Sequence, residues 1–210
     1  MRAVRDWEIW TSDVVRELED YWKPRRSHDF VRSILPKDYQ TAIDVGCGIG
    51  MYYELLVENG ASYFGIDDSQ AMVERAKARV GAERFVKGDV YHIPFSNESF
   101  DMVFCWNVLL HLPDIEVPVS ELCRVSRKYV VFNIWSAAER NSLNRGGWNE
   151  YIAEYTEDFV RRLLKQQPYE TQVISHAYTF DNGQVEKLNG RELSRKAFLL
   201  NRRKATMVTA

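Results

Sequence analysis

The sequence predicts an α/β protein: a doubly wound, mostly parallel sheet with a helical cap at the N-terminus. Three observations lead there. Short apolar runs alternate with helical segments of roughly ten residues, the pattern of successive βαβ units. The runs are apolar throughout, as strands are when helices cover both faces of a sheet. A glycine cluster, Gly46-Cys47-Gly48-Ile49-Gly50, directly follows the first of them, where such folds turn from strand to helix.

Taken in order, residues 7–22 place Trp7, Trp10, Val14, Val15, Leu18, Tyr21 and Trp22 at helical spacing, an aromatic amphipathic helix that Pro24 stops. Ser27 is positioned to cap a second short helix running to Leu35 before Pro36. Residues 1–36 therefore form the cap, and 37–210 the main domain. The first strand is expected over 41–45, with a helix after the glycines that ends at Gly60. A second strand spans 62–67, and Ser69 caps a helix ending at Gly81. Further strands are expected over 84–89, 100–110 and 129–135, with a helix around 115–124 between the last two. The polar stretch 136–150 breaks the rhythm and reads as an insert. A helix before Pro168 and two closing strands, 171–180 and 196–202, complete the chain.

Composition narrows the function classes. The 210 residues suit one domain with an elaboration. With 45% hydrophobic and 28% charged residues, the chain is ordinary for a globular protein rather than a disordered one. Its formal net charge of −2 weighs against a nucleic-acid coat. Cys47, Cys105 and Cys123 form no CxxC pair, so reduced thiols are expected. His28, His92, His111 and His176 lack ligand spacing, so no metal is expected. No apolar run reaches the ~18 residues of a membrane span, and the N-terminus has no signal-peptide core, so a cytoplasmic location is expected.

The chemistry concentrates at the strand tips. Glycines at 46, 48 and 50 let the backbone turn sharply and approach a ligand closely. Their spacing is GxGxG, not the GxGxxG of nicotinamide and flavin sites. Asp67, about twenty positions after Gly46, ends the second strand, where a carboxylate can accept both hydroxyls of a ribose. Asp89 ends the third; it can accept from an exocyclic amine while the Val90 amide serves a ring nitrogen. Such a ligand has an adenine, a ribose and a polar tail, and no Walker-type lysine is present to hold a pyrophosphate.

The ordered series IDVGCGIG, GIDDS, KGDVYHIPF and SFDMVFCWNVLLHL resembles the successive motifs of class I S-adenosylmethionine-dependent methyltransferases, most of all the ubiquinone and menaquinone methyltransferase-like group. The resemblance runs from about Thr41 to Trp135. It implies a Rossmann-like, seven-stranded sheet whose last strand is antiparallel, and an enzyme that uses S-adenosyl-L-methionine, leaves S-adenosyl-L-homocysteine and needs no metal. It also implies site roles. Asp44, Gly46, Cys47, Gly48 and Gly50 would surround the methionine part of the cofactor. Asp67, with Asp68 beside it, would hold the ribose; Asp89 and Val90 would read the adenine; and Asn107 would lie near the sulfonium. One departure concerns the turn before the fifth strand, where Ser126-Arg127-Lys128 replaces the glycine turn of relatives. The motifs of DNA-base methylation are absent after the fourth strand. A small-molecule acceptor with an apolar or planar part is therefore expected; methylation of RNA or protein, or a nonenzymatic cofactor-binding subunit, are the alternatives. His111 stands where a general base could act, although packing in its loop is the favoured reading. Tyr21, Trp22 and Trp148 are the acceptor-pocket candidates, because only the cap and the insert are free of the sheet rhythm.

Overall fold

β1 (Thr41–Val45) is buried along nearly its whole length, and its neighbours explain why. β2 (Ser62–Asp67) and β4 (Phe100–Cys105) pair with it in parallel on either side, β3 (Phe85–Lys87) lies outside β2, and β5 (Ser126–Ser136) lies outside β4. In the computed structural model, the described residues are 15, 26–81, 84–139, 141–145, 151–177, 187–188, 191–192 and 194–203. Apart from Val15, the aromatic helix expected over 7–22 lies outside them, as do Tyr21, Trp22 and Trp148.

Among the described residues the main sheet has nine strands, seven of them on the path β3-β2-β1-β4-β5-β11-β8. β11 (Ser194–Arg202) sits antiparallel between β5 and β8 (Tyr169–Ala177), so the last strand runs against both its neighbours, as expected. The path reverses direction beside β1, the place where open α/β sheets bind ligands. A separate two-stranded pair joins β9 (Lys187–Leu188) to β10 (Arg191–Glu192).

Two cores flank the sheet. On one face α1 (Arg26–Ile34), α2 (Tyr53–Leu56) and α3 (Gln70–Val80) bury Val31, Leu55, Leu56 and Val73 against Ala42, Phe104 and Val131. On the other, α4 (Glu116–Val125) and α5 (Glu157–Leu164) bury Val119, Leu122, Val160 and Leu164 against Ile43, Val103 and Phe132. Helices on both faces account for the continuous apolar strands. Among the described residues no helix is long and apolar enough to cross a membrane.

Several boundaries differ from expectation. Ser27 lies inside α1 rather than capping it, because the helix begins at Arg26. The helix after the glycines is one turn long, and Gly60 (φ +82°) closes a later turn by donating to Val57 O at 2.8 Å. β4 stops at Cys105, and a 3-10 turn, Leu109–His111, replaces the rest of the long strand expected there. The insert holds a strand, β6 (Ser142–Arg145), paired antiparallel with β7 (Tyr151–Tyr155), whose end adds in parallel to Trp135 and Ser136 of β5. Ser69 does cap α3, accepting from the Met72 amide at 3.3 Å, and Gly81 ends it at φ +72°. Where the glycine turn is missing, α4 passes directly into β5: Ser126 leaves the helix in extended conformation and takes up strand pairing opposite Phe100.

Candidate cofactor and acceptor site

The tips of β1, β2 and β4 and the loop after β3 are neighbours along one edge of the sheet, so chain order brings Asp44, the glycines, Asp67, Asp89 and Asn107 to one rim. The glycine loop is pinned to β2 at three points. The amides of Gly46 and Cys47 both donate to Ile66 O, at 2.8 and 2.9 Å, and the Gly48 amide donates to Asp67 Oδ2 at 2.8 Å. Asp67 Oδ1 accepts from the Ser69 amide at 2.9 Å, so this one carboxylate ties the loop to the start of α3. Each oxygen keeps a second lone pair for a further donor.

Gly46, with φ +74°, has no room for a side chain: a Cβ there would stand 2.3 Å from Val108 Cγ2. Gly48, with φ +53°, would direct a Cβ into open space. From behind, Arg79 of α3 holds the loop, Nη1 donating to Gly50 O at 2.6 Å.

Asp44 is buried, and Tyr63 OH donates to its Oδ2 at 3.1 Å. Burial pushes the Asp44 carboxyl up to about 7; the Tyr63 hydrogen bond opposes that, and the charge of Asp67 adds to it. Burial likewise raises Asp67 to about 6, against the two amides that favour its ionised form. Burial holds the Cys47 thiol far above its usual range, so it is an unreactive space-filler beside the turn. Asp68 is half-buried next to Asp67, and Val90 packs partly buried against the core below the rim. Asp89 lies past the end of β3, its Oδ1 accepting from the Tyr91 amide at 2.9 Å in a local turn.

Asn107 follows β4 in the left-handed region, φ +57°, a conformation asparagine tolerates. Buried Asn133 of β5 fixes it: Asn133 Oδ1 accepts from the Asn107 amide at 2.7 Å, and Asn133 Nδ2 donates to Asn107 Oδ1 at 2.9 Å. His111 ends the 3-10 turn, its backbone amide bonded to Val108 O at 2.9 Å. Sequence reasoning missed Tyr63, Asn133 and Arg79. A polar residue inside an otherwise apolar strand, as Asn133 is, was the available signal for one of them.

A methyltransferase-domain family model matches residues 43–132, less than half of the chain but all of this rim. Over that stretch the chain is similar to methyltransferase domains. Sterol 24-C-methyltransferase of Pneumocystis carinii is 32% identical to it over 96 residues, covering 42% of this chain and 26% of that protein. Malonyl-[acyl-carrier protein] O-methyltransferase of Hamiltonella defensa is 27% identical over 85 residues, covering 40% and 33%. The chain thus spans a third or less of the length of these curated relatives. Among solved structures, magnesium protoporphyrin IX methyltransferase of Synechocystis PCC 6803 with bound S-adenosylhomocysteine superposes with a TM-score of 0.69 at 17% identity, covering 95% of this chain and 98% of that one. An S-adenosylmethionine-dependent methyltransferase from Methanosarcina mazei gives 0.66 at 17%, covering 82% and 96%. The Rossmann-like methyltransferase fold is common to all three.

The residues at this rim have the chemistry to hold S-adenosylmethionine. The open side of Gly48 lets a ligand reach the backbone, and two carboxylates, buried Asp44 and half-buried Asp67, make the rim favourable to a cation.

Proposed function

We propose that the chain transfers a methyl group from S-adenosyl-L-methionine to a small organic acceptor with an apolar or planar part. The observation that carries this is the Gly48–Asp67 contact: one carboxylate organises the glycine loop and α3 while each of its oxygens keeps capacity for a further donor. Asp67 would take the ribose hydroxyls, with Asp68 alongside. Asp89 and Val90 would read the adenine, and Asp44 with Gly46 to Gly50 would enclose the amino-acid portion. When bound, the cofactor supplies a methyl group on a positively charged sulfur, displaced in line by the acceptor. The protein's part is alignment and exclusion of water. Asn107, locked by Asn133, would mark the reacting end. His111 would order the turn after β4.

Residues 1–36 would act as a cap over the rim, a reading supported by Val15, which is buried against Ile49 of the glycine loop and Met72 of α3. Tyr21, Trp22 and Trp148 would supply acceptor contacts from the cap and the insert. Curated relatives are named for a sterol and for malonyl-[acyl-carrier protein], acceptors diverse enough to support the class without selecting a member.

The test is calorimetric titration with S-adenosylhomocysteine together with tritiated-methyl transfer onto metabolite fractions. Asp67→Ala should weaken binding about tenfold or more, through loss of charged hydrogen bonds. Equal affinity in wild type and variant would overturn the role of Asp67. Label appearing only in RNA or protein fractions would overturn the small-molecule acceptor.

A further inference from the structure

We infer that the Glu121–Arg124 pair of α4 fixes the turn that carries Asp89 and Val90, and thereby sets the preference of the site for an aminopurine over an oxopurine. This rests on the methyltransferase reading above and deepens it. Both members of the pair act through the loop after β3, so they are positioning residues and not ligands.

Arg124 uses all five of its N–H donors in one neighbourhood. Nε donates to Glu121 Oε1 at 2.6 Å and Nη2 to Glu121 Oε2 at 2.8 Å, a bidentate pair within one helix. The other donors reach the loop: Nη2 to Ile93 O at 2.9 Å, Nη1 to Phe95 O at 2.7 Å and to Asn97 Oδ1 at 3.2 Å. Glu121 closes the ring, its Oε2 accepting from the Ile93 amide at 2.9 Å. Both backbone polar groups of Ile93 are thus held by the pair. Arg124 is 28% and Glu121 15% exposed, which shields the pair more than an ordinary surface ion pair. The Arg124 hydrogen bond holds the Glu121 carboxyl below the usual carboxylate range, so the pair stays ionised at neutral pH. The far end of the loop is tied to the same helix. Glu98, in the left-handed region at φ +56°, donates its amide to Arg124 O at 2.9 Å. A non-glycine residue keeps such a conformation when its surroundings impose it.

The turn over 89–92 is therefore strung between two anchors. At its start the Gly88 amide donates to Asp67 O at 3.0 Å, which ties it to the residue proposed for the ribose. At its end stands Ile93, gripped by the pair. Between them Asp89 Oδ1 accepts from the Tyr91 amide at 2.9 Å, and Asp89 O accepts from the His92 amide at 3.0 Å. A carboxylate and an amide tell the amine and bare ring nitrogen of adenine from the carbonyl and ring N–H of an oxopurine only while their spacing is fixed. Breaking the pair leaves the loop docked, because Ile93 is buried in the apolar core and Tyr91 OH donates to Asp114 O at 3.0 Å. What is lost is the spacing of the recognising groups, so the two purines should bind more weakly and more alike.

The test titrates S-adenosylhomocysteine and S-inosylhomocysteine into the full chain by calorimetry. In wild type the adenine form should bind about tenfold or more tighter, the cost of facing a donor with a donor. Arg124→Lys keeps the charge but not the fork. It should weaken S-adenosylhomocysteine about three- to tenfold and bring the two ligands within about threefold of each other. Glu121→Gln keeps the shape but removes the charge that orients Arg124, and should cut the preference about twofold or more. A pair that only stabilised the fold would lower the melting temperature and leave the ratio of the two affinities unchanged. An unchanged ratio in Arg124→Lys overturns the inference, as does a wild type that binds both ligands equally. If Arg124→Lys does not fold, Glu121→Gln decides alone, and an unchanged ratio there overturns it. Failure of wild type to bind S-adenosylhomocysteine would instead bring down the methyltransferase reading beneath it.

Discussion

Replacing Gly46 with alanine should do far more damage than the same change at Gly48, although both residues have positive φ. At either position an L-residue pays about 1–2 kcal/mol for the left-handed conformation. At Gly48 little else is lost, since the new methyl meets nothing within 4 Å. At Gly46 the methyl would stand 2.3 Å from Val108 Cγ2 and 3.1 Å from Cγ1, so either the valine or the loop must move. Val108 has little freedom to yield, because Asn107 beside it is bonded through both backbone and side chain to buried Asn133. Overpacking of this kind costs about 1–3 kcal/mol, for a total of about 2–5 kcal/mol against the 5–15 kcal/mol that holds a typical domain together. Urea unfolding should show Gly46→Ala losing at least about 1 kcal/mol more than Gly48→Ala. A double-mutant cycle with Val108→Ala should recover most of that difference. Equal losses at the two glycines, or a strictly additive cycle, would refute the interlock between the glycine loop and the turn after β4.

Other consequences follow from charge. The Asp44 and Asp67 carboxyls are raised to about 7 and about 6, so the ligand-free protein binds a cationic cofactor better as pH rises through that window; calorimetry should show a steeper gain for S-adenosylmethionine than for its uncharged-sulfur product. Tyr63→Phe removes the bond that lowers the Asp44 pKa, so the binding midpoint should move to higher pH, and an unmoved midpoint would remove Asp44 from the account. The same raised values mean that these two carboxyls stabilise the fold below their unfolded pKa of about 4, a contribution lost as pH rises through 6 and 7. His176 acts in the opposite sense: its depressed pKa contributes stability above about 6.5 that disappears as pH falls toward 4, on the order of 3 kcal/mol, and His176→Gln should flatten the acid limb of a denaturation profile. His111→Ala should lower the melting temperature and leave the rate within about tenfold; a loss above about a hundredfold at unchanged stability would make His111 a general base.

The half of the molecule that carries the glycine loop was legible because its signals are local. The apolar run and glycines at 41–50, the span of β2 from Ser62 to Asp67, and the Ser69 and Gly81 caps of α3 each depend on neighbours a few residues away. The β6–β7 hairpin was not legible. Its first strand is polar and Leu143 is 47% exposed; its second buries Ile152, Ala153 and Tyr155, but a run of five residues gives too short a pattern to stand out. The grip of Arg124 on the loop after β3 was hidden for another reason: Ile93, Phe95 and Asn97 meet it only because α4, much later in the chain, packs back against that loop. Asp67 was legible as the residue that ends β2, but its bonds to the Gly48 and Ser69 amides were not, since nothing in the spacing reveals a carboxylate that braces its own loop.

The position of β11 bears on how the chain folds as it is made. Residues 169–177 leave the ribosome before residues 194–202, yet in the finished sheet the later strand separates the earlier one from β5. Until β11 emerges, β5 presents an open edge, and β8, which runs in the same direction, has no native partner within the sheet. Direct β8–β5 pairing is then an accessible wrong turn, and exposed edges of this kind invite pairing between chains as well. The final step is the insertion of one strand between two others, a non-local event of the slow class. Arg195 arrives with that strand, so a nascent chain can assemble its glycine loop well before it holds the cation beside Asn107.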